Sequence, residues 1–145
     1  MYENIVVGTD CSATADRAVS KAADVARMTG AKLHLVCVYH EPTPAMAVAE
    51  APALFVGDLT TEAIEAQTVH VEALAERLRV DGIDVEARVE KGGAAATLVA
   101  VADAVHADLL VVGDRGLKGI RGLLGSVPNR VTHRACMDVL VVHTT

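Results

Sequence analysis

Two hydrophobic patterns alternate along the chain. Short apolar runs rich in β-branched residues are typical of strands buried in a parallel sheet, and stretches in which apolar residues recur every three or four positions are typical of helices that pack on one side. One predicted helix lies between each pair of successive strands, and the predicted strands are residues 4–8, 32–39, 84–90, 109–113 and 138–143. With right-handed crossovers this alternation predicts an α/β fold, a single doubly wound domain over residues 1–145. Its sheet is predicted to be mostly parallel, five-stranded and flavodoxin- or Rossmann-like, in the order 3-2-1-4-5.

Start and stop signals delimit the predicted helices. The first ends at Gly30, the second is predicted to start at a threonine cap, Thr60 or Thr61, and the fourth covers about residues 127–135. The third strand, residues 84–90, alternates apolar with charged residues. That pattern predicts an edge strand with one exposed face.

Residues 40–58 interrupt the alternation. They contain three of the four prolines and no clear period, so the connection is longer than compact domains usually have. Connections of this kind are either lids over a site or surface loops, and the sequence leaves both alternatives open.

Composition limits the classes of function. With 145 residues, 52% of them hydrophobic, the chain is able to bury one core. Its three aromatic residues, Tyr2, Tyr39 and Phe55, argue against a sheet that stacks nucleic-acid bases. The N-terminus has no signal-peptide pattern, and no apolar run approaches a membrane span. The sequence therefore predicts a cytoplasmic protein that binds neither nucleic acid nor membrane.

The three cysteines indicate neither a disulfide framework nor a zinc site. Cys11, Cys37 and Cys136 are odd in number and lack C-x-x-C spacing, which argues against a disulfide scaffold and a zinc site. We interpret them as small core residues. A redox role is the alternative for Cys11, because a helix N-terminus directly after a cysteine lowers the thiol pKa.

A glycine-rich stretch follows the fourth strand. Glycines recur at positions 113, 116, 119, 122 and 125, and glycine lets backbone amides turn toward a ligand that approaches the main chain closely. Ser126 and Pro128 then mark a helix start, whose free N–H groups and dipole favour an anion. Although the chain has a formal charge of -6, residues 115–134 contain five Lys or Arg and no acid. Together these features predict a phosphate site, with a solvated basic helix face as the alternative.

The turn after strand one is predicted to face this stretch. In the predicted order, strands one and four are neighbours at the switch in strand order, where doubly wound sheets bind ligands. Asp10 is the carboxylate at the end of strand one. It is predicted either to accept a hydrogen bond from an exocyclic amine or a ribose hydroxyl, or to bond nearby amides in an Asx turn.

Several nucleotide and catalytic motifs are missing from the sequence. It contains neither G-x-x-x-x-G-K-[ST] nor G-x-G-x-x-G after strand one, which argues against a P-loop NTPase and a dinucleotide enzyme. The six histidines show no metal-ligand spacing, and no Ser-His-acid set or carboxylate pair is identifiable. The sequence therefore predicts neither catalytic nor metal-ligating residues.

Three segments carry a resemblance that spans the whole chain. IVVGTDCS near the start, VVGDRGLKGIRGLLGSVPNRVTHRA near the end and DVLVVHTT at the terminus resemble the bacterial universal stress proteins. The ATP-binding subgroup of that family has the motif G-x2-G-x9-G-[ST], and Gly113, Gly116, Gly125 and Ser126 match it in type. The spacing departs, because eight residues and not nine separate Gly116 from Gly125.

The resemblance implies a nucleotide site. It implies that adenine and ribose are surrounded by Gly8, Thr9, Asp10 and Val38. It further implies that ribose and phosphates are held by Gly113, Asp114, Arg115, Gly116, Leu117, Gly125, Ser126 and Val127. The implied ligand is ATP, with AMP or a cyclic adenine nucleotide as alternatives, and Mg or Mn would accompany a triphosphate.

The leading functional hypothesis is an adenine-nucleotide-binding stress-response protein that acts as a regulatory module. One alternative is an ATP-hydrolysing enzyme of a related superfamily with the loop S-G-G-x-D-S after strand one; GTDCSA here has the aspartate without the glycine pair. Another is an interaction domain without nucleotide. The apolar last strand, residues 139–142, predicts a homodimer along that strand, because an exposed apolar edge invites pairing. The sequence does not identify a protein partner or the inducing stress.

Overall fold

The computed structural model describes residues 1–39, 56–114 and 126–144. Strands and helices alternate through these segments without exception. In chain order the elements are β1 (Asn4–Thr9), α1 (Ala15–Thr29), β2 (Lys32–Tyr39), α2 (Val56–Val80), β3 (Val85–Lys91), α3 (Ala94–Ala104), β4 (Leu109–Gly113), α4 (Ser126–Arg134) and β5 (Asp138–Val142).

The strands form one sheet in the order β3-β2-β1-β4-β5, and all four pairings are parallel. This confirms the predicted fold class and strand order. β1 is the central strand, and its register sets Thr9 opposite Cys37 on one side and Val7 opposite Val111 on the other. β3 lies at one edge of the sheet, as its alternating pattern predicts, and β5 lies at the other.

In the described part of the chain, two helices cover each face of the sheet. Alternate strand residues point to opposite faces, so Leu35 and Cys37 of β2 join the core cluster formed with α1 and α2. Val36 and Val38 join the other cluster, formed with α3 and α4. Because β1, β2 and β4 are buried on both faces, their sequences are nearly continuous apolar runs.

The structure corrects several predicted boundaries. β1 continues to Thr9, and α2 begins at Val56, before the predicted cap at Thr60 or Thr61. A threonine favours a helix start but does not impose one, and residues 56–59 contain no proline to stop the helix from extending toward the N-terminus. The question of a lid concerns mostly residues 40–55, which lie outside the described segments.

The interpretation of the cysteines as core residues is wrong for one of them. Cys37 is completely buried and Cys11 is half-buried, but Cys136 is exposed. Cys136 lies between α4 and β5, where none of the described elements covers it. Within the described residues, no helix is both long and apolar enough to cross a membrane.

One histidine, in β2, is buried in the fold. His34 in β2 is only 4% exposed, and its ring Nε2 lies 3.3 Å from Asn4 Oδ1. Its Nδ1 is buried without a hydrogen-bond partner among the described residues. Burial lowers the pKa of His34 below the ordinary value of 6.5. The protonated imidazolium is therefore disfavoured in the folded state.

We expect the free energy of unfolding to fall as the pH drops below about 6.5, because the unfolded chain then binds a proton that folded His34 resists. His34→Gln removes this titration and is expected to flatten that part of the pH profile, measured by urea unfolding at a series of pH values. His133→Gln, at an exposed histidine of α4, is the control and should keep the wild-type slope. An identical slope in wild type and His34→Gln would contradict the assignment.

Candidate functional site

The carboxyl ends of β1 and β4 lie side by side at the centre of the sheet. β1 pairs with β2 on one side and with β4 on the other, although β4 is the third strand after β1 in the chain. The α3 connection therefore crosses from the β3 edge to the far side of β1, and the strand order switches there. Such a switch leaves a crevice beyond the strand ends in doubly wound sheets. The predicted adjacency of the two strand ends is confirmed.

Hydrogen bonds hold the turn after β1, residues 9–12. Asp10 Oδ1 accepts a bond from the backbone N–H of Ser12 at 2.9 Å and a second from the Ser12 hydroxyl. Thr9 Oγ1 accepts a bond from the N–H of Cys11 at 3.1 Å. The Asx turn that the sequence left as an alternative is thus present, and it presents the Asp10 carboxylate in a defined position. Ser12 Oγ also accepts from Ala15 N at the start of α1.

Several predicted nucleotide contacts have a packing role in this structure. Thr9 is 1% exposed, and its buried hydroxyl stabilises the turn by accepting the Cys11 N–H. A Cβ at Gly8 would lie 2.7 Å from Leu98 Cδ1, and Leu98 of α3 is itself fully buried. The missing side chain of Gly8 is therefore explained by close packing of α3 on β1. Val38 is 6% exposed and packs in the core on that same face.

A polar cluster holds the end of β5 against the end of β4, and we call Gly113, Asp114, His143 and Thr144 the C-terminal clasp. Asp114 Oδ1 accepts from Thr144 Oγ1 at 2.7 Å and from the Thr144 N–H at 3.0 Å. Its other oxygen, Oδ2, lies 2.7 Å from His143 Nδ1. These hydrogen bonds lower the pKa of Asp114 to about 2. The bond from the Thr144 hydroxyl has the largest effect, and the bonds from the Thr144 N–H and from His143 add to it.

The clasp also explains the glycine at the end of β4. A Cβ at Gly113 would lie 2.9 Å from Thr144 Cγ2, and Thr144 is 3% exposed. Asp114, implied by resemblance to be a nucleotide ligand, has its carboxylate engaged by the two residues that follow β5, His143 and Thr144. Sequence reasoning missed His143 and Thr144. The available signal was that polar residues follow the ends of two adjacent parallel strands, whose carboxyl ends share one edge of the sheet.

The second half of the predicted site lies at α4, which begins at Ser126. Val127 is half-buried against the α3 and α4 core cluster, and Pro128 is buried in the first turn. The other predicted phosphate-binding residues lie outside the described segments: Arg115, Gly116, Leu117 and Gly125. The glycine cradle therefore stays a prediction. Among the residues described, no group of three or more His, Cys, Asp or Glu side chains is arranged to hold a metal ion.

Comparison with known proteins gives consistent matches over the whole length. The model of the universal stress protein family matches residues 1–143. A universal stress protein of Mycobacterium tuberculosis strain H37Rv is 40% identical over 148 residues, which cover 99% of this chain and 98% of the relative.

Solved structures agree with the fold described above. The crystal structure of a universal stress protein in complex with cAMP is 38% identical, covers 99% of both chains and has a TM-score of 0.73. The universal stress protein UspA from Lactobacillus plantarum has a TM-score of 0.79 at 22% identity and covers 97% of each chain, which is a likeness of fold.

Proposed function

Since this chain belongs to the universal stress protein family, we propose that it is a cytoplasmic stress-response protein that binds an adenine nucleotide and acts as a nucleotide-dependent regulatory module. In this proposal one domain, residues 1–145, holds the whole site, and no residue is assigned a catalytic role. The adenine nucleotide occupies the crevice beyond the carboxyl ends of β1, β2 and β4.

The adjacency of β1 and β4 carries this proposal. It brings the Asp10 turn next to the chain that leaves β4 at Asp114 and leads to the start of α4. One side of the crevice thus offers a carboxylate, which suits an exocyclic amine or a ribose hydroxyl. The other offers a helix N-terminus, which suits a phosphate. An adenine nucleotide carries both kinds of group at its two ends.

The relative that was crystallised with cAMP supports an adenine nucleotide, at 38% identity over nearly the full length. We keep ATP as the first ligand to test because of the glycine motif, with AMP and cAMP as the alternatives. Mg²⁺ or Mn²⁺ bound with a triphosphate would take its ligands from phosphate oxygens and water.

Isothermal titration of the purified chain with ATP, AMP, cAMP and GTP tests the proposal. Mass spectrometry of small molecules released by denaturing the protein identifies any nucleotide retained from the cell. We expect saturable binding of at least one adenine nucleotide and weaker binding of GTP. Adenine carries an exocyclic amine at C6 that can donate to a carboxylate, whereas guanine has a carbonyl oxygen at that position. Absence of saturable binding by all three adenine nucleotides, in protein that releases none on denaturation, would overturn the proposal.

We further propose a homodimer along β5. β5 is an edge strand, so one row of its backbone N–H and C=O groups faces away from the sheet. Its side chains differ in burial. Leu140 packs against the α1 and α2 core cluster and Val139 against the opposite cluster, whereas Val141 is 42% exposed. Pairing of two β5 strands would cover this exposed valine and the free edge.

Val141→Lys is expected to shift the particle mass from dimer to monomer, measured by light scattering coupled to size exclusion. A lysine on each strand would place like charges at the contact and disfavour pairing. Val141 is a sharper probe than Leu140, because a lysine at the packed Leu140 would also disturb the core. Val69→Lys, at a 71% exposed position of α2, is the matched control. A Val141→Lys variant with unchanged mass would assign the interface to another surface.

A further inference from the structure

Cys11 in the turn after β1 meets Cys37 of the neighbouring strand β2. Cys11 Sγ lies 3.5 Å from Cys37 Sγ, and the two residues are 26 positions apart in the sequence. Cys37 belongs to β2 and is completely buried, whereas Cys11 is half-buried and packs at the margin of the same core cluster. An S–S bond of about 2.0 Å would require the two sulfurs to approach by about 1.5 Å.

We propose that Cys11 and Cys37 form a reversible intramolecular disulfide when the protein meets a hydroperoxide such as hydrogen peroxide. Cys11 is the thiol that reacts with the oxidant, and Cys37 is the thiol that resolves the product. This inference goes beyond the proposed nucleotide binding and does not depend on it.

The difference in burial assigns the two roles. An oxidant approaching from solvent reaches the half-buried Cys11, while Cys37 is covered on all sides. A reactive cysteine with some exposure and a second thiol directly beside it is the arrangement of peroxide-sensing dithiols. Cys11 is also held in place, because its backbone N–H donates to Thr9 Oγ1 and its φ is 64°.

The hydrogen bond between the two thiols supports the same assignment of Cys11 as the reacting thiol and Cys37 as the resolving thiol. Donation from the Cys37 thiol to Cys11 sulfur lowers the pKa of Cys11, although burial and the nearby carboxylates of Asp10 and Asp16 oppose this. The same bond, together with burial, raises the pKa of Cys37. The thiolate of the pair therefore resides on Cys11, and the thiolate is the nucleophilic form.

The reaction consumes one peroxide and releases two waters. The Cys11 thiolate attacks one peroxide oxygen, an S–O bond forms, the O–O bond breaks, and the departing hydroxide takes up a proton. Cys37 sulfur then attacks the sulfur of the resulting sulfenic acid. The S–S bond forms, the S–O bond breaks, and the hydroxide leaves as water with the proton of the Cys37 thiol. Both sulfurs are oxidised by one electron each, and a dithiol reductant reverses the change.

Treatment of the full-length Cys136→Ser protein with hydrogen peroxide tests the proposal, because that substitution removes the exposed third thiol. Remaining thiols are counted with an alkylating reagent after denaturation, and non-reducing peptide mapping identifies cross-linked peptides. We expect both thiols to be lost together, the intact mass to fall by two hydrogens, and the peptides containing Cys11 and Cys37 to be joined. Incubation with dithiothreitol should restore both thiols.

Two variants in the Cys136→Ser background separate the two roles. Cys37→Ala should leave a Cys11 sulfenic acid that dimedone traps, while Cys11→Ser should leave Cys37 unmodified at the same peroxide concentration. Circular dichroism monitors the folding of both variants. If either variant fails to fold, the thiol count and the peptide map of the Cys136→Ser protein still test the proposal. Thiols that persist, a Cys11 sulfinic acid without cross-link, or disulfides only between chains would each overturn the proposal.

Discussion

Asp10→Asn is expected to weaken adenine-nucleotide binding by about 1.5–3 kcal/mol, or roughly ten- to a hundredfold in affinity. The asparagine amide oxygen still accepts the Ser12 N–H that closes the Asx turn at 2.9 Å. What is lost is the negative charge that would strengthen a hydrogen bond from the ligand. Isothermal titration with the nucleotide that the wild type prefers measures the change.

Asp103→Asn provides a control with the same change in net charge. Asp103 is exposed near the end of α3, on the amino side of the sheet and away from the Asp10 turn. Its affinity should match that of the wild type, and thermal unfolding should verify that both variants are folded. Equal affinities for wild type and Asp10→Asn would limit Asp10 to its role in the turn.

Gly113→Ala is expected to lower the free energy of unfolding by about 1–2 kcal/mol, since overpacking a well-filled site costs more than the gain from a stiffer unfolded chain. The new methyl group would meet Thr144 Cγ2 at 2.9 Å. Thr144→Ser removes that Cγ2 and keeps the hydroxyl that donates to Asp114. The double variant Gly113→Ala/Thr144→Ser should therefore recover most of the loss.

Gly93→Ala is the matched glycine control, because a Cβ at Gly93 meets nothing within 4 Å. Because Gly93 is the N-cap of α3, where alanine is less favourable than glycine, this variant should lose only about 0.5 kcal/mol, and Thr144→Ser should not recover that loss. Urea unfolding of the four clasp proteins, wild type included, forms a double-mutant cycle whose coupling measures the contact. If the loss of unfolding free energy in the double variant equals the sum of the losses in the two single variants, Thr144 is not what excludes a side chain at position 113.

The clasp changes how the glycine motif is understood. Its first glycine, Gly113, is required by the neighbouring Thr144, and the next residue, Asp114, binds the end of β5. The same two residues also begin the connection that leads to α4. A motif that matches a nucleotide-binding pattern can thus contain positions set by packing, and affinity measurements on Gly113 variants have to be read together with their stability.

Much of the fold was predictable because its signals are local. A strand buried on both faces must be apolar at consecutive positions, as at residues 109–112, and a helix on one face must repeat its apolar residues every three or four positions, as in α1. The start of α2 was not predictable from Thr60 and Thr61, because a capping residue lowers the free energy of one start without excluding an earlier one.

The sequence by itself determined the alternation of strands and helices, the strand order, the edge position of β3 and the meeting of the β1 and β4 ends. The alternation and the edge pattern of β3 follow from local hydrophobic periods, and the strand order and the meeting of the two strand ends were predicted from the doubly wound fold that the alternation indicates. Only the tertiary structure decided which side chains meet: Asp114 with Thr144 across 30 positions, Cys11 with Cys37 across 26, and Gly8 beneath Leu98. Such contacts depend on register and on distances of a few ångströms between elements, and no local pattern of residues encodes them.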